Sequence, residues 1–167
     1  MRMEFLAPLA MAATLAATLA SDAAMAQTPA GLTLDQIEDT LEGQGLEPTR
    51  STGESGDVYF SAAMTGPDGE QYNAIIAPRD CTGSTPRCRI VTLYANFGLG
   101  SAPDASALAK LVSYNDTHYR GRSYAFGETV GVDYQVFLGE GAGREYLAAR
   151  IGEFPQVMAD FVEHMRQ

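Results

Sequence analysis

The chain has 167 residues and a formal net charge of −10, with 11 Lys and Arg against 21 Asp and Glu. Lysine occurs once, at Lys110, and basic residues form no cluster, which excludes nucleic acid and anionic membrane as primary partners. The two cysteines, Cys81 and Cys88, and the two histidines, His118 and His164, have the wrong spacing for a zinc knuckle.

Arg2 precedes an apolar run from Phe5 to Ala20, built mostly of Leu, Ala and Met. Ala24-Met25-Ala26 then supplies the small residues of a signal-peptidase site. This predicts a secretory leader over residues 1–26, cleaved before Gln27, and a periplasmic or secreted bacterial protein. A membrane span needs about 20 strongly apolar residues; this run is shorter and alanine-rich, so no membrane association is expected after cleavage. Residues 27–31 read as a tether and residues 32–167 as one domain.

Thr33 is a candidate N-cap, and Gln36 three residues on completes a capping box. Leu32 and Ile37 stand where a hydrophobic staple would place them. Leu34, Ile37 and Leu41 share a helical face, and Gly43 and Gly45 stop the helix. Asp35, Glu38, Asp39 and Glu42 lie mostly opposite; without EF-hand spacing they read as a solvated face. Leu46 to Thr52 predicts an edge strand, because Pro48 argues against a central one. Asp57 to Met64 predicts a second strand, with Val58, Phe60, Ala62 and Met64 on one face and Tyr59 and Ser61 on the other. Gly66-Pro67-Asp68-Gly69 is a turn signal.

From Tyr72 to Phe97 the sequence reads as a hairpin. Tyr72, Ala74 and Ile76 alternate with Asn73, Ile75 and Ala77, and Pro78 is expected to end that strand. From Cys88 onward, Val91, Leu93, Ala95 and Phe97 alternate with Ile90, Thr92 and Tyr94. Both faces are apolar or aromatic, which marks a central strand. Export makes Cys81 and Cys88 a structural disulfide closing the loop between the strands. A redox centre would favour Cys-x-x-Cys at a helix start.

Ser101 as cap and Pro103 in the first turn predict a second helix, with Ala105, Leu108, Leu111 and Val112 as its buried stripe. Arg120-Gly121-Arg122 breaks it near Tyr119. Ser123 to Phe126 and Gly131 to Leu138 predict a second strand pair, with Val132, Tyr134, Val136 and Leu138 facing one way and Asp133, Gln135 and Phe137 the other. Gly139 to Gly143 then leads into a helix, as phosphate cradles do. The match is poor: Arg144 stands where a third glycine belongs, no Walker lysine follows, and Glu140 and Glu145 repel phosphate. Arg120, Arg122 and Arg144 are the candidate anion contacts. The last helix carries Leu147, Ile151, Phe154, Met158, Phe161, Val162 and Met165 at helical spacing, with Pro155 expected to kink or restart it.

The order predicts an α+β fold: an antiparallel sheet of about five to six strands with helices packed on one face, α-β-β-β(-β)-α-β-β-α. The strand Cys88-Arg-Ile-Val-Thr-Leu-Tyr-Ala-Asn-Phe97, the junction from Tyr114-Asn115 through Arg120-Gly-Arg122-Ser-Tyr124, and the junction Gly143-Arg144-Glu145 add a further signal. In their order and spacing, the last three-quarters of the mature chain resembles the YbjN domain. This bacterial family has the fold of type III secretion chaperones and is described as regulating sensory transduction. Members often carry tryptophan where Tyr114 stands. The resemblance implies a small binding protein that forms a homodimer or sheathes a segment of a protein partner; from the residues themselves no cofactor or metal is expected.

The residues offer a site for this. Tyr59, Ile90, Tyr94 and Phe137 fall on the sheet face away from the helices, and tyrosine-rich apolar patches rimmed by polar groups are favoured at interfaces. Two other readings stand beside it. One is a small-molecule carrier with a pocket between sheet and helices lined by Phe60, Leu93 and Phe161. The other is a hydrolase built on His118 and Asp116. No Gly-x-Ser-x-Gly elbow or His-Glu-x-x-His supports the latter; His118 reads as a surface or capping residue and His164 as stabilising the last helix end.

Overall fold

The computed structural model describes residues 30–167; the leader expected over residues 1–26 and all but the end of the tether lie outside them. The first helix, α1 (Leu34–Gly43), starts as its capping box dictates. Thr33 Oγ1 accepts from the Gln36 N–H at 3.2 Å, and Gln36 Oε1 accepts from the Thr33 N–H at 3.0 Å. Such a cap contributes about 1 kcal/mol. Ile37 and Leu41 are buried, and Leu34 is half-buried beside them. Gly45, at φ +77°, makes the left-handed turn that ends the helix.

Six strands follow in one sheet: β1 (Thr49–Thr52), β2 (Val58–Thr65), β3 (Gln71–Thr82), β4 (Arg87–Gly98), β5 (Arg122–Phe126) and β6 (Thr129–Phe137). Their spatial order is β1-β2-β3-β4-β6-β5 and every neighbouring pair is antiparallel. The helices α2 (Ala105–Thr117) and α3 (Arg144–Arg166) complete the chain. The fold is therefore α+β, in the order α-β-β-β-β-α-β-β-α. Alternation sends Phe60, Ile76, Leu93, Ala95, Val132 and Val136 to one face, where they form a common core with Ile37, Leu41, Leu111, Tyr114 and the α3 stripe Leu147, Ile151, Phe154, Met158 and Phe161.

Four details depart from the sequence reading. Pro78 does not end β3, which continues to Thr82. The β2–β3 pairing stops at Phe60↔Ile76, whereas β3–β4 continues through Pro78↔Val91. The N–H that proline lacks thus falls outside the β2 ladder, which is where proline is tolerated. As a result Cys81 and Cys88 lie within the paired strands rather than at the ends of a loop, and their disulfide joins directly opposed positions.

The cap of α2 is Asp104, not Ser101: its carboxylate accepts from the Ala107 N–H at 2.8 Å. Pro103 precedes that cap and lies outside the helix. The buried face of α2 is also rotated from the expected stripe. Leu111 and Tyr114 are buried, while Leu108 is 45% and Val112 62% exposed. The ridge that meets α3 runs through the half-buried Ala107, then Leu111 and Tyr114. Finally, α3 continues through Pro155 instead of restarting there.

Candidate interaction face

All the helices pack against one side of the sheet, so the residues that alternate with the core set point away from them. One row crosses five strands: Ser61 on β2, Ile75 on β3, Tyr94 on β4, Asp133 on β6 and Arg122 on β5. The next contains Ala77, Thr92 and Gln135, and a third contains Arg79, Ile90 and Phe137. The four predicted interface residues therefore do share a face. Tyr59, Ile90 and Tyr94 are half-buried and Phe137 is 61% exposed.

The middle of this face is sunken. Ala77 and Thr92 point outward yet are buried, because they are short and stand among taller side chains. A cavity of about 300 Å³ opens there, lined by Tyr59, Ile75, Ala77, Tyr94 and, at its polar end, Asp57 and Arg79. Arg79 Nη1 meets Asp57 Oδ2 at 3.4 Å.

Toward β5 the face is polar but tightly knit. Arg122 donates to the buried Asp133 carboxylate at 2.7 Å, which holds its guanidinium above the usual arginine range. Tyr124 lies over Gly131, donates to Asn96 and meets Tyr94 edge-on at 6.2 Å. Burial, and then the Asp133 charge, push its phenol up to about 12. Tyr124 and Ile75 extend the predicted patch. Ile75 was visible in the strand alternation, but Tyr124 required the β5–β6 register, which composition does not supply.

The three candidate anion contacts do not converge. Arg122 is committed to Asp133, Arg144 pairs with Asp39 of α1 at 2.8 Å, and Arg120 stacks over the Tyr119 ring. The histidines belong to the α2–α3 seam. His118 stacks on Tyr114 at 4.2 Å, and its Nδ1 faces the Thr117 hydroxyl at 3.0 Å and the Tyr114 carbonyl at 3.3 Å. Asp116 is not among its hydrogen-bond partners in the described residues. His164 Nε2 contacts the Lys110 carbonyl at 3.0 Å, tying α3 to α2. Among the described residues no group of three or more His, Cys, Asp or Glu side chains is disposed to hold a metal ion. Phe60 and Leu93, expected to line a carrier pocket, are fully buried in the core, as is Phe161, which also borders a cavity at the end of the sandwich.

Among the described residues no helix is long and apolar enough to cross a membrane. The model of the YbjN family, described as "Putative bacterial sensory transduction regulator", matches residues 33–167. No curated protein matches the chain.

Proposed function

The chain belongs to the YbjN family, and from that premise we propose that it is an exported, non-enzymatic binding or regulatory protein that works by protein–protein contact through Tyr59, Ile90, Tyr94 and Phe137. The observation that carries this reading is the helix-free sheet face, with an aromatic rim around the sunken Ala77 and Thr92. Aromatic side chains standing over a shallow apolar depression are the kind of anchor that dominates interface energetics. The cations there, Arg79 and Arg122, are already matched by Asp57 and Asp133, so recognition rests on shape and apolar contact rather than on charge. The regulatory description of the family is compatible with a face that sheathes a partner segment or a second copy. Export is supported by the leader pattern and by the Cys81–Cys88 disulfide, which persists in oxidising compartments.

A photo-crosslinking amino acid at Phe137 tests the contact in cells. The expected result is a discrete protein adduct that disappears when Tyr94→Asp is added. The reading fails if position 137 gives no more adduct than position 163, on the exposed side of α3. Light scattering of the purified protein, wild type against Ile90→Asp/Tyr94→Asp, separates the two partners: a dimer that dissociates in the variant means a second copy. Terminal sequencing of the exported protein is expected to begin at Gln27.

A further inference from the structure

The end of the sandwich where β4, α2 and α3 meet holds a second cavity of about 380 Å³. This lies within the volume range of small-molecule sites. Much of its lining is apolar: Phe97 of β4, Leu99 just after that strand, Val130 from β6, and Phe161, Val162 and Met165 from α3. Its lining also carries charge: Lys110 of α2 and Arg166 at the end of α3 both border it.

Most of the cations among the described residues are matched by carboxylates. Arg50, Arg79, Arg89, Arg122, Arg144 and Arg150 are all ion-paired with carboxylates. Lys110 and Arg166, like Arg120, have no such ion pair among the described residues. Lys110 Nζ donates one hydrogen bond to the Met165 carbonyl at 2.9 Å, which positions the ammonium and leaves two donors without a partner among the described residues. The Asp68 carboxyl is held below its usual range chiefly by the Tyr72 hydrogen bond, and Arg166 adds only the smallest contribution, without an ion pair. Asp104 also lines the cavity, but its Oδ1 is engaged in capping α2. What sets Lys110 and Arg166 apart is that both line one apolar hollow in a chain of net charge −10.

We propose that this end cavity binds a free amphipathic monoanion, a medium-chain carboxylate, with the tail against Phe97, Phe161 and Val162 and the head group between Lys110 and Arg166. The tail replaces water on apolar walls. The head group gains charge-assisted hydrogen bonds at the rim, where the ligand's own chain excludes solvent. A cation with the same tail meets two like charges there, opposed only by Asp104, which already caps α2, and a bilayer does not fit a hollow of this size. The site lies on the helix side of the sheet and is independent of the Tyr59–Phe137 face.

Calorimetric titration with sodium decanoate, below its micelle concentration, tests the proposal, with amide chemical shifts mapping the site. The expected result is saturable binding that perturbs Leu99, Ala107 and Val162 and is unaffected by Tyr94→Asp. Lys110→Gln/Arg166→Gln should weaken it about tenfold or more, since charge-assisted bonds are lost. Decyltrimethylammonium should bind at least about tenfold more weakly than decanoate by the same reasoning. The proposal is overturned if decanoate does not bind, if the cationic analogue binds equally well, if the double variant binds normally, or if the shifts map to Tyr59 and Tyr94. Sedimentation with phosphatidylglycerol vesicles, lost in the double variant, would instead assign the cations to a membrane surface and would also overturn it. Because Lys110 and Arg166 make no ion pair among the described residues, their glutamine variants are expected to fold, and an unchanged circular dichroism melt checks this.

Discussion

Leu32 and Cys88 exchange two backbone hydrogen bonds, at 3.1 and 2.7 Å, so the segment entering α1 is laid alongside the disulfide-bearing end of β4. Both backbone groups of Cys88 are thereby turned away from Cys81, and the two strands are joined at this point by sulfur instead of by amides. Arg87 adds a bond from its Nη2 to the Gly31 carbonyl at 2.6 Å. The bridge thus holds the tip of the hairpin and, through Leu32, the base of α1.

Breaking the bridge should destabilise the protein without abolishing the fold. Closing a short loop contributes roughly 2–3 kcal/mol, which for a domain of this size lowers Tm by roughly 6–12 °C. Thermal melts with and without reductant check the value. Cys88→Ser should cost more than Cys81→Ser, because Cys88 is buried and Cys81 exposed. Equal losses in the two variants would show that the Cys88 environment adds nothing beyond the covalent link.

The Arg122–Asp133 pair is expected to be the most sensitive polar contact of the open face. Asp133 is buried, and Arg122 is its hydrogen-bond partner from the neighbouring strand. Arg122→Ala leaves that carboxylate without its partner and should cost about 1–3 kcal/mol. Arg122→Ala/Asp133→Asn should recover part of the loss, because the stranded charge is gone. Denaturant midpoints for the four proteins of the cycle measure the coupling; additivity would mean the contact is a surface pair of little weight.

Much of this architecture is written in local chemistry. Thr33 and Gln36 announce α1 because a capping box needs only residues three apart, and the core face of β2, β3, β4 and β6 follows from strict alternation. The misjudged points depend on contacts between distant segments. Pro78 is tolerated only because the β2 pairing stops at Phe60↔Ile76, and strand lengths relative to a neighbour are not encoded locally. In α2 two apolar ridges compete, Leu108–Val112 and Ala107–Leu111–Tyr114; which one is buried is decided by α3, against which Tyr114 meets Phe161 and His164. The four candidate face residues could be read from parity, whereas the depression between them required knowing that Ala77 pairs with Thr92.

Gly131 tests how firmly that face is built. A Cβ at this position would stand 2.6 Å from the Ala95 carbonyl oxygen and 2.7 Å from the Tyr124 ring. The carbonyl belongs to the central strand and cannot yield, so Gly131→Ala must spread β4 from β6 or expel Tyr124. Overpacking of this kind costs about 1–3 kcal/mol. The melt should fall accordingly, and the Tyr124–Asn96 bond should be lost, visible as altered Asn96 side-chain amide shifts. A variant as stable as the wild type, with those shifts unmoved, would show that the sheet gives way more easily than the contact distances indicate.

Tyr114 supplies a pH-dependent prediction. Burial is the main cause that pushes its phenol up to about 12, with the Asp160 charge a lesser one. The unfolded chain ionises tyrosine near pH 10. Below that value the phenol is neutral in both states and its contribution to stability is complete. Between about 10 and 12 the unfolded state loses the proton while the folded state keeps it, so stability falls as pH rises through that window, by about 2 kcal/mol for this one group. Tyr114→Phe cannot ionise and removes only long contacts to the Arg120 and Val157 carbonyls, at 3.4 and 3.5 Å. Its denaturant midpoint should therefore decline less steeply than that of the wild type between pH 10 and 12, with near-equal values at pH 8. Parallel declines would mean that the Tyr114 hydroxyl is not desolvated in the folded protein and that the α2–α3 seam admits water.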